Sequence, residues 1–121
     1  PIVLGKRLPK EQRKALVAGV LRDGRFLTEH GLATESPASA KFDPKGYWRG
    51  PIWAPATLLI VDGLVALGER GAARQTSKRF CHMVLAGGMA ENFHPHNGKG
   101  LCDPAYTWTA SVFQILAHEY V

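Results

Sequence analysis

The most restrictive feature of this 121-residue chain is a strongly apolar segment, which predicts a helix from about Pro55 to Arg70. Its apolar side chains cover nearly the whole circumference of that helix: Leu58, Leu59, Ile60, Val61, Leu64, Val65 and Leu67. A helix that is apolar all round must be buried on all sides. A last, mostly apolar helix is predicted to end near Tyr120. Two such helices need more neighbours than this chain supplies, because a chain of this length buries only about two-thirds of its unfolded surface.

Two further helices are predicted from their apolar stripes. Pro9 begins the first of them, and a surface helix runs over about 72–86. Asp103 and Pro104 are typical of the N-cap and first residue of the final helix. Glycines are expected to end or separate these helices, at Gly24, Gly71 and Gly87–Gly88. The long segment between Phe26 and Pro44 carries turn signals and is predicted to be an ordered loop.

Buried and surface helices alternate along the chain, and no alternating strand pattern competes with them. The pattern favours an all-α fold in which inner helices line a centre and outer helices shield them, as in an α/α toroid. Residues 1–121 are then one portion of a single toroidal domain. Its remaining helices are expected from a missing N-terminal part of the same domain or from another chain.

The net charge of +5 arises from 15 Lys and Arg against 10 Asp and Glu. Most of the clustered cations fall on the first helix, where they are typical of a solvated face and not of a stripe that follows phosphates. We therefore expect no nucleic-acid partner. No apolar run approaches the roughly 20 residues of a membrane span, so we expect no membrane partner either.

The cysteines and the N-terminus constrain the protein's environment only weakly. Cys81 and Cys102 are too few for a disulfide framework, although the sequence is compatible with a single disulfide between them. With no visible signal peptide, a cytoplasmic location is expected. The chain begins at Pro1 without Met, so the sequence is also compatible with a targeting signal upstream of it.

Two indoles and a phenol lie within eight residues, Gly46–Trp53, framed by glycines and a proline. We call this segment the aromatic loop. Aromatic residues alone favour a role as core anchors. Exposed indoles are nevertheless natural partners for the apolar faces of sugar rings, and Arg49 would supply fixed donors for hydroxyls or a carboxylate. Tyr47, Trp48, Arg49 and Trp53 are therefore candidates for binding a carbohydrate, with anchoring of the loop in a core as the alternative.

A second candidate segment, Gly87–Gly100, is called here the carboxylate loop. Glu91 lies in it between the apolar residues Met89 and Phe93. A carboxylate on a loop above a ring of inner helices would face the pocket and serve as a general base toward water. The alternative is a surface carboxylate or a partner of a nearby arginine.

Three segments together resemble the C-terminal part of the catalytic domain in glycoside hydrolase family 63. They are Gly-Tyr-Trp-Arg-Gly-Pro-Ile-Trp, Glu-Asn-Phe-His-Pro with Asn-Gly-Lys-Gly, and Asp-Pro-Ala-Tyr-Thr-Trp-Thr-Ala-Ser. That family includes mannosyl-oligosaccharide glucosidases, bacterial α-glucosidases and mannosylglycerate hydrolases. The resemblance covers the chain from about Phe26 onward. It implies a six-hairpin (α/α)6 toroid and hydrolysis of an oligosaccharide or small glycoside with inversion at the anomeric carbon.

By the same resemblance, Glu91 matches the general base. Trp48 and Trp53 match aromatic residues of the sugar subsite, with Arg49 beside them. Glu35 lies on a loop near the same pocket and is given a supporting role, and Trp108 is expected to pack beneath the site. The resemblance implies no metal and no organic cofactor.

The family's general acid is an aspartate in a loop well upstream of the Trp-Arg-Gly motif, and this chain has no matching loop. Asp23, Asp43 and Asp62 lie in the wrong contexts: a helix end, a turn and a buried-helix pattern. The chain thus carries the base half of the catalytic pair, and hydrolysis by this chain alone is not expected.

Other chemistries find less support. His94 and His96, with His82 and Cys102 nearby, lack the paired spacing of a zinc site, so we interpret the first two as a polar pocket rim. The alternative functions are a non-catalytic carbohydrate-binding or helical interaction module, which would not need Glu91 as a base, and a structural helical fragment without a ligand.

Overall fold

The computed structural model describes residues 1–22 and 24–121, so Asp23 lies outside the described residues. The described part is mostly helical, as predicted, with a small antiparallel sheet that the sequence did not predict. Its elements are a 3-10 helix (Ile2–Arg7), α1 (Lys10–Leu21), α2 (Ala54–Ala66), α3 (Arg70–Gly87), β1 (Asn92–Phe93), β2 (Gly100–Leu101) and α4 (Thr107–Tyr120).

The core forms where α2, α3 and α4 pack against one another, with the 3-10 helix on a further side of α2. Fully buried side chains from all three helices fill it, among them Val61, Leu64, Phe80 and Leu116. Gly63 allows the 3-10 helix to approach α2 closely, since a Cβ there would lie 2.8 Å from Ile2 Cγ2. Burial of these side chains, and not helix propensity, holds the short helices together.

Within this chain α2 is covered on only part of its circumference, and the covering of its other face by further helices stays a prediction. Leu59 is 57% exposed and Asp62 is exposed as well, because no described element covers that face. On α3, the apolar side chain of Leu85 is 70% exposed.

Two predicted helix boundaries differ from the structure. The break between α2 and α3 lies at Gly68, which has a φ of 88°, and Gly71 is already the second residue of α3. The last helix begins at Thr107 and not at Pro104. Asp103 Oδ1 accepts a hydrogen bond from the Ala105 N–H at 2.9 Å. The Asp103 carboxylate thus stabilises a turn that precedes α4, and the helix begins only after this turn.

The long connection from α1 to α2 is ordered by short backbone pairings. Leu27 pairs with Leu32, Ala33 with Ile52, and Ile52 in turn with Phe93 of β1. The Ile52–Phe93 pair is reciprocal, with N···O distances of 2.8 and 3.0 Å. These pairings bring the aromatic loop beside the carboxylate loop.

The helices and the two cysteines of the structure bear on what was expected of the chain's environment. None of the helices in residues 1–22 and 24–121 combines the length and apolarity needed to cross a bilayer. The cytoplasmic location and the absence of a nucleic-acid partner stay predictions. Cys81 and Cys102 are both free, the first buried and the second exposed, and burial raises the pKa of the Cys81 thiol to about 11.

The described core makes a first prediction about stability. Phe80→Ala removes a fully buried ring and should lower the free energy of unfolding by about 3–5 kcal/mol. Leu85→Ala, on the same helix but largely exposed, is the matched control and should cost less than about 0.5 kcal/mol. Urea denaturation of both variants measures the difference. Equal losses would show that α3 does not bury the face described here.

Candidate functional site

Asp43 determines the conformation of the aromatic loop. Its backbone N–H donates to the Arg49 carbonyl at 2.8 Å, and its carbonyl accepts from the Gly46 N–H at 2.9 Å. Its side chain accepts from the Lys45 N–H at 2.9 Å and contacts Arg49 Nη2 at 3.3 Å. Gly50 is required for this turn, because a Cβ there would overlap the Asp43 carbonyl oxygen.

The indoles of Trp48 and Trp53 form a parallel stack, with ring centroids 4.0 Å apart and planes 10° apart. Trp53 has no exposed surface, whereas Trp48 is 49% exposed. The Trp108 ring meets Trp53 edge-on at 5.6 Å. Trp48 therefore presents the accessible face of the stack, and Trp53 supports it from below.

Glu91 is joined to the aromatic loop by a hydrogen bond across 44 residues of sequence. The Tyr47 hydroxyl donates to Glu91 Oε1 at 2.7 Å. Tyr47 has a φ of 60°, a left-handed conformation that few residues other than glycine adopt. Its carbonyl accepts a hydrogen bond from Trp53 Nε1 at 2.9 Å. The carboxylate, the phenol and the exposed indole of Trp48 thus lie on one side of the molecule.

The carboxylate loop is held to the segment before α4 at two points. The Glu91 N–H donates to the Asp103 carbonyl, and the Tyr106 N–H donates to the Met89 carbonyl, both at 2.7 Å. Thr109 Oγ1 donates to the Ala90 carbonyl at 2.7 Å from within the core. Glu91 is therefore a half-buried side chain on a well-anchored backbone.

Two other predicted site residues have protein partners of their own. Arg49 forms its ion pair with Asp43, at the exposed edge of the aromatic loop. Glu35 Oε1 accepts from the N–H of Ser36 at 3.1 Å. The residue before Glu35 is bonded to the aromatic loop, since Thr34 Oγ1 donates to the Pro51 carbonyl at 2.9 Å. Glu35 is thus attached to the same loop system, with its carboxylate capping its own turn.

Glu91 shifts the acid–base chemistry of its neighbour. The hydrogen bond to the Glu91 carboxylate raises the pKa of Tyr47 to about 12, with smaller contributions from desolvation and from the charge of Glu91. The phenol therefore stays protonated, and stays a donor, throughout the neutral range. Nearby, desolvation and the charges of His96 and Lys45 lower the pKa of His94, which disfavours its cationic form.

Two cavities border the carboxylate loop and the segment after it. One, of about 690 Å³, lies between α3 and the carboxylate loop, with Arg79, His82 and Lys99 on its wall. The other, of about 850 Å³, is an apolar groove between α2 and α4 that includes Leu59, Trp108 and Ile115. Glu91 lines neither of these two cavities, so the carboxylate and Trp48 form an open shelf. In the part of the chain that the structure describes, His, Cys, Asp and Glu side chains form no cluster of three suited to a metal ion.

Most of the chain matches the model of a known protein family. The model of the mannosylglycerate hydrolase MGH1-like glycoside hydrolase domain matches residues 1–109. The chain belongs to this family. Membership confirms the resemblance to glycoside hydrolases of family 63 that the three motifs predicted. It also places both loops of this MGH1-like domain within the matched residues.

Curated relatives agree with this assignment and are much longer than the chain. The glucosylglycerate hydrolase of Mycolicibacterium hassiacum is 31% identical over 116 residues, which are 92% of this chain and 26% of that protein. The mannosylglycerate hydrolase MGH1 of Selaginella moellendorffii is 29% identical over 91 residues, 74% of this chain and 19% of that protein. The MGH1-like chain thus spans about a quarter or less of these two relatives.

Solved structures support the fold. The crystal structure of the mannosylglycerate hydrolase of family 63 from Thermus thermophilus, in complex with glucose, superposes with a TM-score of 0.81 at 23% identity. The match covers 95% of the MGH1-like chain and 29% of the Thermus chain. A structure of the same enzyme with Tris and D-glycerate gives the same score over 28% of its chain.

The sequence missed two features of the site. Asp43 was noted only as a turn residue, although the Asp-Pro-Lys-Gly sequence around it was the available signal for a loop-organising carboxylate. The Tyr47–Glu91 contact had no sequence signal, because 44 residues separate its partners.

The close packing at Gly50 makes a second prediction. Gly50→Ala should destabilise the domain by about 1–3 kcal/mol, because the new methyl group would overlap the Asp43 carbonyl and the backbone of the turn would have to shift. Gly71→Ala is the matched control: its site in α3 is open, and alanine there should raise the free energy of unfolding by about 0.5–1 kcal/mol. Thermal or urea unfolding distinguishes the two. A neutral Gly50→Ala would contradict the described loop.

Proposed function

We propose that this chain is the C-terminal portion of an α/α-toroid catalytic domain of an inverting α-glycosidase. Family membership and the lengths of the relatives support this proposal. So does the apolar groove between α2 and α4, where Leu59 and Ile115 remain exposed. In the complete six-hairpin toroid, further helices would cover that groove.

Glu91 is the proposed general base, and the observation that carries the proposal is its hydrogen bond to Tyr47 beside the exposed face of Trp48. That arrangement places a carboxylate next to a surface suited to the apolar face of a sugar. Trp48 stacks on the sugar, while Trp53 contributes from beneath. Arg49 and Glu35 border the site. To contact substrate, Arg49 would have to release Asp43, and the Glu35 carboxylate would have to release the Ser36 N–H.

In the proposed reaction, Glu91 removes a proton from water, and the water oxygen attacks the anomeric carbon. The glycosidic bond breaks on the opposite side, and the leaving oxygen takes a proton from a second carboxylic acid. Inversion requires the two carboxyl groups to lie about 6.5–9.5 Å apart, so that water fits between them. That acid would come from the remainder of the domain, because the described carboxylates include no matching aspartate.

The relatives support a proposal for the substrate class, because their names describe hydrolysis of mannosylglycerate and glucosylglycerate. We propose that the complete domain cleaves an α-glycoside of a small hydroxy acid. Trp48 would face the sugar, and a cation at the site would face the carboxylate of the aglycone.

A chimaera tests this function. The 121 residues replace the matching quarter of the Mycolicibacterium glucosylglycerate hydrolase, and sugar release from glucosylglycerate and mannosylglycerate is measured. Glu91→Gln should lower kcat by about 10²–10⁴-fold, the usual contribution of a general base. Glu11→Gln, which changes a highly exposed carboxylate on α1, is the matched control and should have no effect.

Two results would contradict the proposal. One is a Glu91→Gln chimaera with the same kcat as its unsubstituted parent. The other is release of the product with retained anomeric configuration, observed by NMR immediately after mixing. A chimaera without activity whose 121-residue segment still binds sugar, seen as tryptophan quenching, would favour the carbohydrate-binding module instead.

A further inference from the structure

We propose that Tyr47 is a positioning residue, whose phenol fixes one carboxylate oxygen of Glu91 so that the other oxygen is left to accept the proton of the attacking water. This inference rests on the proposed role of Glu91 as the base. It differs from the expectation that Tyr47 binds substrate, because here its partner is the catalytic group itself.

The hydrogen bond has the geometry that such a role needs. Its O···O distance of 2.7 Å is typical of a phenol that donates to a carboxylate. The bond occupies Glu91 Oε1, and no other side-chain hydrogen bond to Glu91 occurs among the described residues. The second oxygen, Oε2, is thereby the one available to a water molecule on the open shelf.

Tyr47 is itself held in place on two sides. Its carbonyl accepts the indole N–H of fully buried Trp53, and its ring meets the Trp53 ring edge-on at 4.8 Å. Its left-handed backbone persists because the surrounding turn, closed by Asp43 and Gly50, specifies it. Strain of this kind concentrates where a side chain must point in one direction.

Glu91 is fixed from the other side. Its N–H is bonded to the Asp103 carbonyl, and two residues later Phe93 forms the reciprocal backbone pair with Ile52. Both partners of the phenol–carboxylate bond are therefore anchored through their backbones. The bond selects one rotamer of Glu91 in a place where the backbone alone would allow several.

The phenol cannot replace the missing general acid. Its proton is donated to the Glu91 carboxylate, whereas in an inverting reaction the general acid acts on the leaving oxygen from the face opposite the base. In the proposed step the O–H bond of water breaks, its proton goes to Glu91 Oε2, and the oxygen forms the bond to the anomeric carbon. The electrons of the glycosidic bond go to the leaving oxygen, which the second carboxylic acid protonates. Tyr47 keeps its proton throughout.

The first test uses the 121-residue chain alone, labelled with ¹³Cζ-tyrosine and observed by NMR. At pH 11 a phenol with a pKa of about 12 is still mostly protonated, whereas an ordinary tyrosine is mostly ionised. Tyr47→Phe identifies the Tyr47 resonance, and circular dichroism checks that the fold survives at this pH. Glu91→Gln should shift the Tyr47 titration down toward 10 and leave that of Tyr120, at the end of α4, nearly unchanged. A Tyr47 that titrates near 10 in the unsubstituted chain would overturn the inference.

The second test separates positioning from substrate binding in the active chimaera. Tyr47→Phe keeps the ring but removes the donor, so kcat should fall roughly 10- to 100-fold while KM stays nearly constant. Tyr120→Phe, at the end of α4, is the matched control and should change neither constant. A Tyr47→Phe variant with raised KM and unchanged kcat would assign Tyr47 to substrate binding and overturn the inference.

The two proposals fail in different ways. If Glu91→Gln leaves the chimaera active, the proposed base is wrong whatever Tyr47 does. If Glu91→Gln abolishes activity but Tyr47→Phe changes neither kcat nor KM, Glu91 remains the base and the positioning role is wrong. The titration measures the contact independently of activity.

Discussion

The reciprocal backbone pair between Ile52 and Phe93 is the constraint on which the site depends. It joins a loop that precedes α2 to a loop that follows α3, with N···O distances of 2.8 and 3.0 Å. Tyr47 lies five residues before Ile52 and Glu91 two residues before Phe93, so the pair brings phenol and carboxylate to one side of the molecule. Without it, two surface loops would be ordered separately, and the entropy of each would oppose the contact between their tips.

Burial of Trp53 adds rigidity to this arrangement. The residue occupies the N-cap position of α2, stacks on Trp48 and donates its indole N–H to the Tyr47 carbonyl. One side chain thus belongs to the core by its packing and to the site by its hydrogen bond. The exposed loops of an enzyme are useful only when a rigid scaffold holds them, and here the scaffold extends to the base of the aromatic loop.

The sequence predicted those parts of the fold that depend on local patterns. Apolar periodicity predicted the helices, and the glycine-framed motifs predicted both loops and the family. It failed where competing local signals were equivalent: Gly68 and Gly71 both suited the break before α3, and only the structure shows that Gly68 takes the left-handed φ. It also failed where distant segments meet, because no local pattern distinguishes buried Trp53 from exposed Trp48 or pairs Tyr47 with Glu91. The catalytic and binding roles of these residues remain predictions.

The central claim is that the aromatic loop and the carboxylate loop form one site within this chain. A nuclear Overhauser experiment on the folded 121-residue chain at neutral pH tests it most directly. The structure predicts cross-peaks between the Tyr47 ring protons and the Glu91 side-chain methylenes, together with an amide–amide cross-peak between Ile52 and Phe93. A spectrum that contains the Ile52–Phe93 cross-peak but lacks those between Tyr47 and Glu91 would contradict the account.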